Sequence, residues 1–245
     1  MAHFYLNEAL QTAVVGGTVE LTGAEAKHAV TVSRMRVGEQ LSIGSGTGLV
    51  VNGEITEADA ARLALRVETV TELAPPTPRL LLAQALAKGD RDELAVQAAT
   101  ELGIDAVLPW AAQRSISRWE GQKLAKGRER WASIVREATK QSMRAWLPEV
   151  TELHSTKQLA ARPERLIVLD PTGEIALTEL FRDGGGPDER DLLLVVGPEG
   201  GIAPAELDLL RAGGASVVRL GEHVLRTSTA GPAAVAVLSA MLGRW

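Results

Sequence analysis

The sequence predicts an α/β protein in two parts, a small antiparallel β-barrel followed by a larger domain built on a parallel sheet. The chain divides at residues 72–79, ELAPPTPR, because prolines this dense exclude both a helix interior and a central strand. Before these prolines the apolar runs are short and separated by turn signals. After them, continuous apolar runs alternate with helical patterns, as in a sheet covered on both faces. We therefore predict one domain over residues 1–73 and a second over residues 74–245.

Four short β-like runs make up the first domain: TVEL, EQLSIGS, LVVNGEI and ALRVETV. Their spacing favours a small antiparallel barrel. The glycine-rich stretch GSGTG at residues 44–48 lies between two of the runs. It lacks the spacing of a nucleotide-binding loop, so a hairpin turn is the better interpretation.

The second domain begins with a β-α-β pattern. RLLLAQAL predicts a buried strand, and IDAVLPW predicts the next one. Between them ELAVQAATEL predicts a helix, with Asp90 or Asp92 as its cap and Gly103 as its stop.

A long helix is predicted next, at about residues 123–144. Trp131, Ile134, Val135 and Ala138 fall on one face of it at helical spacing. RLIVLD, DLLLVVG and ASVVRLG predict three further strands, each of which ends in a loop. A polar glycine-rich loop is expected at residues 182–191.

Composition bounds the function. The 245 residues carry 45% apolar residues, a net charge of −5 and no cysteine, which excludes a disulfide and a thiolate metal site. The four histidines show no metal-ligand spacing and there is no GxSxG motif, so we expect no metal and no serine hydrolase. No apolar run is long enough to cross a membrane and no signal peptide is evident, so we expect a cytoplasmic protein.

The net acidity hides one basic segment. Residues 114–144 contain nine basic and three acidic residues. Such a segment is typical of a phosphate-binding surface, but it is equally typical of a solvated helix face. Arg136, Lys140 and Arg144 share one stripe of the predicted helix, so a single RNA backbone could meet all three.

Ligands of open parallel sheets bind at the carboxyl ends of the strands, where three loops qualify. They follow Leu169, Val196 and Leu220. The second loop, GPEGG, has glycines that allow close approach of the backbone to a ligand. Its one charged residue, Glu199, suits a ligand with hydroxyls or positive charge better than one with phosphates. A tight turn carrying a surface glutamate is the alternative.

The third loop, LGEHVLRTST, leads into a helix that is almost entirely small and apolar. Such a helix is expected to be buried on every side, in the core or at a subunit contact. Thr227, Ser228 and Thr229 are candidate N-caps. Arg226 follows the apolar Val224 and Leu225, and an arginine buried there would have to meet an anion or a polarised oxygen.

GPEGG followed by LGEHVLRTSTA resembles the SPOUT-superfamily methyltransferases that methylate N3 of one uridine in bacterial 16S rRNA. ATELGIDAVLPW, RWASIVREATKQSMRAWLPEV and KHAVTVSRMRVGEQL resemble further segments of that family, in the family's order. Many members carry glutamate where this chain has Ser228, and lysine where it has Ala98.

The resemblance implies a PUA-like N-terminal barrel and a SPOUT methyltransferase domain with a deep trefoil knot, in a homodimer that acts on 16S rRNA of the small ribosomal subunit. It implies S-adenosylmethionine as cofactor. A cation near the uracil oxygens would stabilise the negative charge that develops there, which suits Arg226, and Glu199 is a candidate proton acceptor. The implied cofactor-binding residues are Leu169, Asp170, Pro171, Gly197, Pro198, Glu199, Gly200, Gly201, Leu220, Gly221, Val224, Leu225, Arg226 and Ser228. The expected RNA-binding residues are Arg34, Arg36, Lys88, Arg114, Arg136, Lys140 and Arg144.

Two alternatives stay open from the sequence. The methyl acceptor could be a ribose 2′-hydroxyl, as in other knotted methyltransferases. The chain could also be a ribosome-assembly factor that binds RNA without catalysis. Arg226, in turn, could brace its loop or a partner subunit rather than act on the substrate.

Overall fold

The computed structural model describes residues 3–181 and 189–245. Most of the glycine-rich loop predicted at residues 182–191 lies outside these ranges. Contacts divide the chain into two compact units, one formed by Met1–Pro75 with Thr139–Leu147 and one by Pro76–Ala138 with Pro148–Trp245. Each unit is built on one sheet.

The first unit contains five strands in the order β1-β3-β4-β5-β2. They are β1 (Phe4–Leu6), β2 (Thr18–Thr22), β3 (Gln40–Gly44), β4 (Leu49–Ala58) and β5 (Arg62–Glu72). The four predicted runs correspond to β2 to β5, whose pairs are all antiparallel. The short strand β1 was not predicted, and it pairs with β3 in parallel, so the sheet is not purely antiparallel. Closure of this sheet into a barrel stays a prediction.

Helix α1 (Gly23–Lys27) follows β2 and continues into one π-helical turn at His28–Val32. The sequence did not predict this helical segment, which is too short to show a periodic pattern. Ala26 and Ala29 are fully buried against the sheet, in a core that includes Leu21, Ile43 and Leu65. The segment thus closes one side of the first unit's core.

Residues 139–147 belong to the first unit although most of them fall within the long predicted helix at residues 123–144. Trp146 donates its indole N–H to the carbonyl of Leu73 at 3.1 Å, and Leu147 N donates to Gly46 O at 2.9 Å. Lys140 lies inside the unit, where its ammonium pairs with Glu25 at 3.2 Å. These contacts are between residues far apart in sequence, so the proline cluster alone could not reveal them.

The second unit is a seven-stranded parallel sheet in the order β10-β12-β9-β11-β6-β7-β8. The strands are β6 (Leu80–Ala85), β7 (Ala106–Trp110), β8 (Glu149–Val150), β9 (Arg165–Leu169), β10 (Ile175–Ala176), β11 (Leu192–Val196) and β12 (Ser216–Arg219). The helices are α2 (Arg91–Glu101), α3 (Gln122–Gln141), α4 (Thr156–Ala160), α5 (Pro204–Ala212) and α6 (Thr227–Met241). The prediction of a parallel sheet with continuous apolar strands is confirmed, since β6, β7 and β11 are buried at every position.

Several local predictions for the second unit can be compared with the structure. On α3, Trp131, Val135 and Ala138 are buried, as the spacing predicted. Pro204 is the first residue of α5, where its missing N–H costs nothing. The two-residue strands β8 and β10 and the five-residue helix α4 were not predicted, because elements this short carry no periodicity. No helix of the described residues is long and apolar enough to cross a membrane.

Candidate functional site

Three loops meet at one edge of the parallel sheet. They leave the carboxyl ends of β9, β11 and β12, and these strands are neighbours in the order β12-β9-β11. The loops surround a cavity of about 440 Å³. The convergence predicted from the sequence is therefore present in the structure.

The predicted cofactor residues line this cavity with the exception of Gly200 and Ser228. The lining residues that were also predicted are Leu169, Asp170, Pro171, Gly197, Pro198, Glu199, Gly201, Leu220, Gly221, Val224, Leu225 and Arg226. Glu222, His223 and Thr227 also line the cavity and belong to the predicted third loop, although they were not named individually. The lining residues that sequence reasoning missed are Arg91, Val196, Ile202, Arg219 and Ala230. Most of the missed residues are direct neighbours of predicted ones, whereas Arg91 comes from α2 and carries no sequence signal for this site.

The GPEGG segment forms a turn closed by the N–H of Gly201, which donates to the carbonyl of Pro198 at 2.9 Å. Gly201 has a φ of +71°, which side-chain-bearing residues rarely adopt. At Gly197 a Cβ atom would lie 2.7 Å from Ile202 Cγ1, so the strand end and the turn pack against each other closely. Gly200 instead offers its carbonyl to Arg114 Nη1 at 3.1 Å. The backbone of this loop therefore needs glycine at Gly197 and Gly201.

Glu199 ties the GPEGG turn to the beginning of α2. Its Oε1 accepts from the backbone N–H of Lys88 at 3.1 Å and from Arg91 Nη1 at 3.2 Å. Within the described residues no hydrogen bond to its Oε2 is seen, and the side chain lines the cavity. One oxygen of Glu199 thus positions the loop, while the other has no hydrogen-bond partner among the described residues.

The loop after β9 is closed by a side chain of its own. Asp170 Oδ1 accepts from the N–H of Thr172 at 2.9 Å and from its hydroxyl at 2.6 Å. Arg219, at the end of β12, donates to the carbonyl of Gly173 at 3.1 Å. A hydrogen bond from the Arg219 side chain to the backbone of Gly173 therefore links the end of β12 to the loop after β9.

The burial predicted for Arg226 is wrong. Arg226 is exposed, as is Leu225, and Val224 has 79% of its surface accessible. These residues belong to an irregular loop, in which apolar neighbours do not imply a core position. Among the described residues no partner of the Arg226 guanidinium is seen, so the loop presents an unpaired cation and two apolar side chains beside the cavity.

The predicted side-chain caps of α6 are also wrong. The N-cap position is held by Arg226, and no side chain caps the helix. The Thr227 hydroxyl instead donates a hydrogen bond to the carbonyl of Gly197 at 2.8 Å and accepts one from Gln84 Nε2 at 2.9 Å. Thr227 therefore joins the second loop, the third loop and β6.

A second cavity of about 330 Å³ lies between the β6–α2 loop and the segment that precedes α3. Lys88, Asp92, Trp119 and Arg130 are among its lining residues. Burial raises the pKa of the Asp92 carboxyl above its ordinary value, against hydrogen bonds from the N–H groups of Ala87 and Glu93. Asp92 thus organises this loop, whereas the sequence predicted it only as one of two candidate caps of α2.

The predicted phosphate-binding stripe is not a free surface. Lys140 is buried against Glu25, and burial lowers the pKa of the Arg136 guanidinium below its ordinary value. Arg144 lies beyond the end of α3 and is half-buried. A helical stripe in a sequence shows which residues share a face but not whether that face is covered.

The remaining basic residues expected to bind RNA are exposed. Arg34 and Arg36 lie just after the π-helical turn of the first unit. Lys88 and Arg114 belong to the second unit, where Lys88 lines the second cavity. Arg34 has a φ of +57° and therefore holds an uncommon backbone conformation for a side-chain-bearing residue.

Comparisons with known families identify the class of protein to which this fold and this cavity belong. Residues 75–239 match the family model described as an RNA methyltransferase domain. Residues 21–68 match the model of an RNA methyltransferase PUA domain. The PUA match ends before the proline cluster, and the methyltransferase match begins within it.

Named relatives identify the family within this class of RNA methyltransferases. The chain is 40% identical to ribosomal RNA small subunit methyltransferase E of Mycobacterium bovis, over 94% of this chain and 89% of that protein. It is 32% identical to the protein of the same name from Bacillus subtilis, over 98% and 96%. The chain belongs to the ribosomal RNA small subunit methyltransferase E family.

Solved structures of similar proteins contain a cofactor. The crystal structure of a ribosomal RNA small subunit methyltransferase E from Neisseria gonorrhoeae bound to S-adenosylmethionine is 25% identical, with a TM-score of 0.86 over 98% of both chains. A methyltransferase of Legionella pneumophila, also in complex with S-adenosylmethionine, is 28% identical with a TM-score of 0.83 over 98% of both chains.

Proposed function

We propose that the protein transfers the methyl group of S-adenosylmethionine to N3 of a uridine in the 16S rRNA of the small ribosomal subunit. The observation that carries the proposal is the cavity built from the loops after β9, β11 and β12. Relatives named for methylation of small-subunit ribosomal RNA support the methylation of this RNA, and one of them and a further methyltransferase were crystallised with S-adenosylmethionine. Since the relatives are named for ribosomal RNA, we place the reaction in the cytoplasm.

The residues present fit S-adenosylmethionine. A volume of about 440 Å³ is within the range of about 300–1,000 Å³ that small-molecule sites occupy. Gly201 and Gly221 both have positive φ and line the cavity, so the backbone is open to a ligand there. Val196, Ile202 and Leu169 supply apolar surface for a planar base. Asp170, Glu199 and Glu222 supply carboxylates, which suit hydroxyls and a positive charge.

When bound, S-adenosylmethionine supplies a methyl group that its sulfonium already activates. The protein then has to orient the acceptor and stabilise charge. Uridine N3 becomes nucleophilic as it loses its proton, and negative charge builds on the neighbouring uracil oxygens. The unpaired guanidinium of Arg226 stabilises that charge. The free Oε2 of Glu199 takes up the proton, while Oε1 stays bonded to Lys88 and Arg91.

We assign RNA binding in the first unit to Arg34 and Arg36. Both are exposed, and apolar Val32 and Val37 near them are 65% and 61% accessible. An arginine without an acidic partner releases counterions from the RNA when it meets a phosphate, whereas a paired arginine has to give up its partner first.

We also propose that the first unit closes as a PUA-like barrel and that the loops of the second unit form a deep trefoil knot. In this arrangement the first unit holds the RNA and the second unit transfers the methyl group.

Replacing Arg34 and Arg36 together by alanine should weaken RNA binding and flatten its salt dependence. The slope of log affinity against log salt should fall by about 1.5, because two phosphate contacts are lost. The measurement is a fluorescence-anisotropy titration of a 16S rRNA fragment at several salt concentrations.

The matched control exchanges two paired arginines of the same unit. Arg62 pairs with Glu20 and Glu57, both at 2.6 Å, and Arg66 pairs with Glu54 at 3.3 Å. The double alanine variant at Arg62 and Arg66 removes the same charge and should leave the slope nearly unchanged. Equal slopes in both double variants would mean that Arg34 and Arg36 act only through net charge.

We propose a homodimer in which α6 contributes to the subunit contact. Ala233, Ala236 and Val237 on this helix are only half-buried, and Ala240 is exposed, although the helix is almost entirely apolar. A second copy would cover this face. Light scattering of the purified protein should return twice the mass of one chain.

A methylation assay tests the proposed function directly. Small ribosomal subunits from cells that lack this protein are incubated with it and labelled S-adenosylmethionine, and the RNA is digested and analysed by mass spectrometry. We expect one methyl group on the base of a uridine, at N3. A methyl group on a ribose would keep methyl transfer but overturn the N3 assignment. RNA binding without cofactor binding would instead indicate a non-catalytic assembly factor.

A further inference from the structure

A fully buried polar side chain lies beneath the cofactor cavity. Gln84 is in strand β6, has no accessible surface, and stands between Ala83 and Ala85 in an otherwise apolar strand. Its neighbours across the sheet are Val196 of β11 and Pro109 of β7. A buried amide in such surroundings is unfavourable unless its polar atoms are hydrogen-bonded.

The hydrogen bond between Gln84 and Thr227 has a defined donor and a defined acceptor. A threonine hydroxyl has one hydrogen, and Thr227 gives it to the carbonyl of Gly197 at 2.8 Å. Thr227 Oγ1 must therefore accept from Gln84, whose Nε2 lies 2.9 Å away. The result is a chain from Gln84 through Thr227 to the first residue of the GPEGG loop.

The side-chain oxygen of Gln84, unlike the nitrogen, is unpaired within the described residues. Gln84 Oε1 is buried and makes no hydrogen bond within the described residues. An unpaired buried acceptor lowers stability, so an apolar residue of similar size would suit this strand better. Gln84 Nε2 also donates to the carbonyl of Ala85 at 3.2 Å, but only its contact with Thr227 reaches a residue that lines the cavity. Stability alone therefore does not explain a glutamine here, and the contact with Thr227 does.

We propose that Gln84 is a positioning residue of the cofactor site, an inference that rests on the proposed function. It holds Thr227, which in turn holds the Gly197 carbonyl and the first turn of α6. Both Gly197 and Thr227 line the cavity, and Arg226 immediately precedes Thr227. Gln84 itself does not line the cavity, so it acts on a ligand only by keeping the loops after β11 and β12 in one arrangement.

The test separates cofactor affinity from stability. Gln84→Leu should weaken S-adenosylmethionine binding about tenfold in calorimetry, the equivalent of ~1.4 kcal/mol. Its urea midpoint should stay the same or rise, because the unpaired Oε1 is gone. Thr227→Val should have the same effect on affinity, and Thr227→Ser, which keeps the hydroxyl, should restore most of it.

The double variant Gln84→Leu with Thr227→Val tests whether the two residues act as one chain. Its affinity should be about tenfold below wild type, as in each single variant, rather than about a hundredfold. Thr100→Val is the matched control, since the Thr100 hydroxyl is also buried but donates within α2, to Val96 O at 2.8 Å. Its cofactor affinity should equal that of the wild type.

Three outcomes would overturn the proposal. Folded Gln84→Leu with wild-type affinity would remove Gln84 from the site, and additive losses in the double variant would remove the chain. Loss of folded protein in both Gln84→Leu and Thr227→Val would make the contact one of stability only. A wild-type protein that does not bind S-adenosylmethionine would overturn the proposed function as well, and this result is distinguishable from the others.

Discussion

Replacing Arg226 by alanine should slow single-turnover methyl transfer about 100-fold, the effect expected when one preorganised charge is removed from a developing anion. The guanidinium lines the cavity and has no partner among the described residues, so it is available to a substrate. In the proposed reaction, its interaction with the uracil oxygens would strengthen as N3 loses its proton. The loss should therefore appear in the rate more than in S-adenosylmethionine affinity or RNA affinity.

Two further variants define the role of Arg226. Arg226→Lys should recover only part of the rate, because lysine keeps the charge but loses the planar pair of donors. Arg211→Ala removes an exposed arginine of α5 that pairs with Asp208 at 3.5 Å, and its rate should equal that of the wild type. If Arg226→Ala has the same mass in solution as the wild type, binds the cofactor normally and keeps the wild-type rate, Arg226 braces the loop and takes no part in the chemistry.

The sequence predicted the framework of the site because that framework depends on local patterns. β9, β11 and β12 are continuous apolar runs, and the carboxyl ends of neighbouring parallel strands must lie together. The loops that follow them could therefore be assigned to one site before the structure. The polar residues Gln84 and Thr227 could not, because their contact joins residues 143 positions apart.

The predictions for Lys140 and Arg226 were wrong for the same reason, because local sequence patterns encode neither contacts between distant residues nor the path of a loop. Lys140 was expected to bind RNA from an exposed helix stripe, but its partner Glu25 lies 115 positions away in the sequence and Lys140 is buried against it. Arg226 was expected to be buried because apolar residues precede it, yet that rule holds for residues whose orientation a helix or strand fixes. In both cases the local pattern was correct, and a contact or a loop path that no local pattern encodes decided the burial.

Replacing Gly221 by valine should weaken S-adenosylmethionine binding about 100-fold. Gly221 lines the cavity with a φ of +76°, a conformation that a β-branched residue adopts only with strain of about 1–3 kcal/mol. Relief of that strain would move the loop after β12, and a retained conformation would place a side chain where the ligand meets backbone. Gly221→Ala should have a smaller effect in the same direction.

Gly200 is a poorer position for this test. A Cβ there would lie 3.2 Å from Arg114 Cβ, and Gly200 is not among the residues that line the cavity.

The matched control for this prediction is Gly214→Val. Gly214 has a similar φ of +87°, and at both glycines a Cβ atom would meet no other atom within 4 Å. It follows α5 and does not line the cavity, so the two variants share the backbone strain and differ in what the loop holds. Their urea midpoints should fall by similar amounts, while calorimetry should detect the loss of affinity only in Gly221→Val. A folded Gly221→Val variant with wild-type affinity would show that the loop after β12 does not meet the cofactor, whereas equal losses of affinity in both variants would trace the effect to general destabilisation of the second unit.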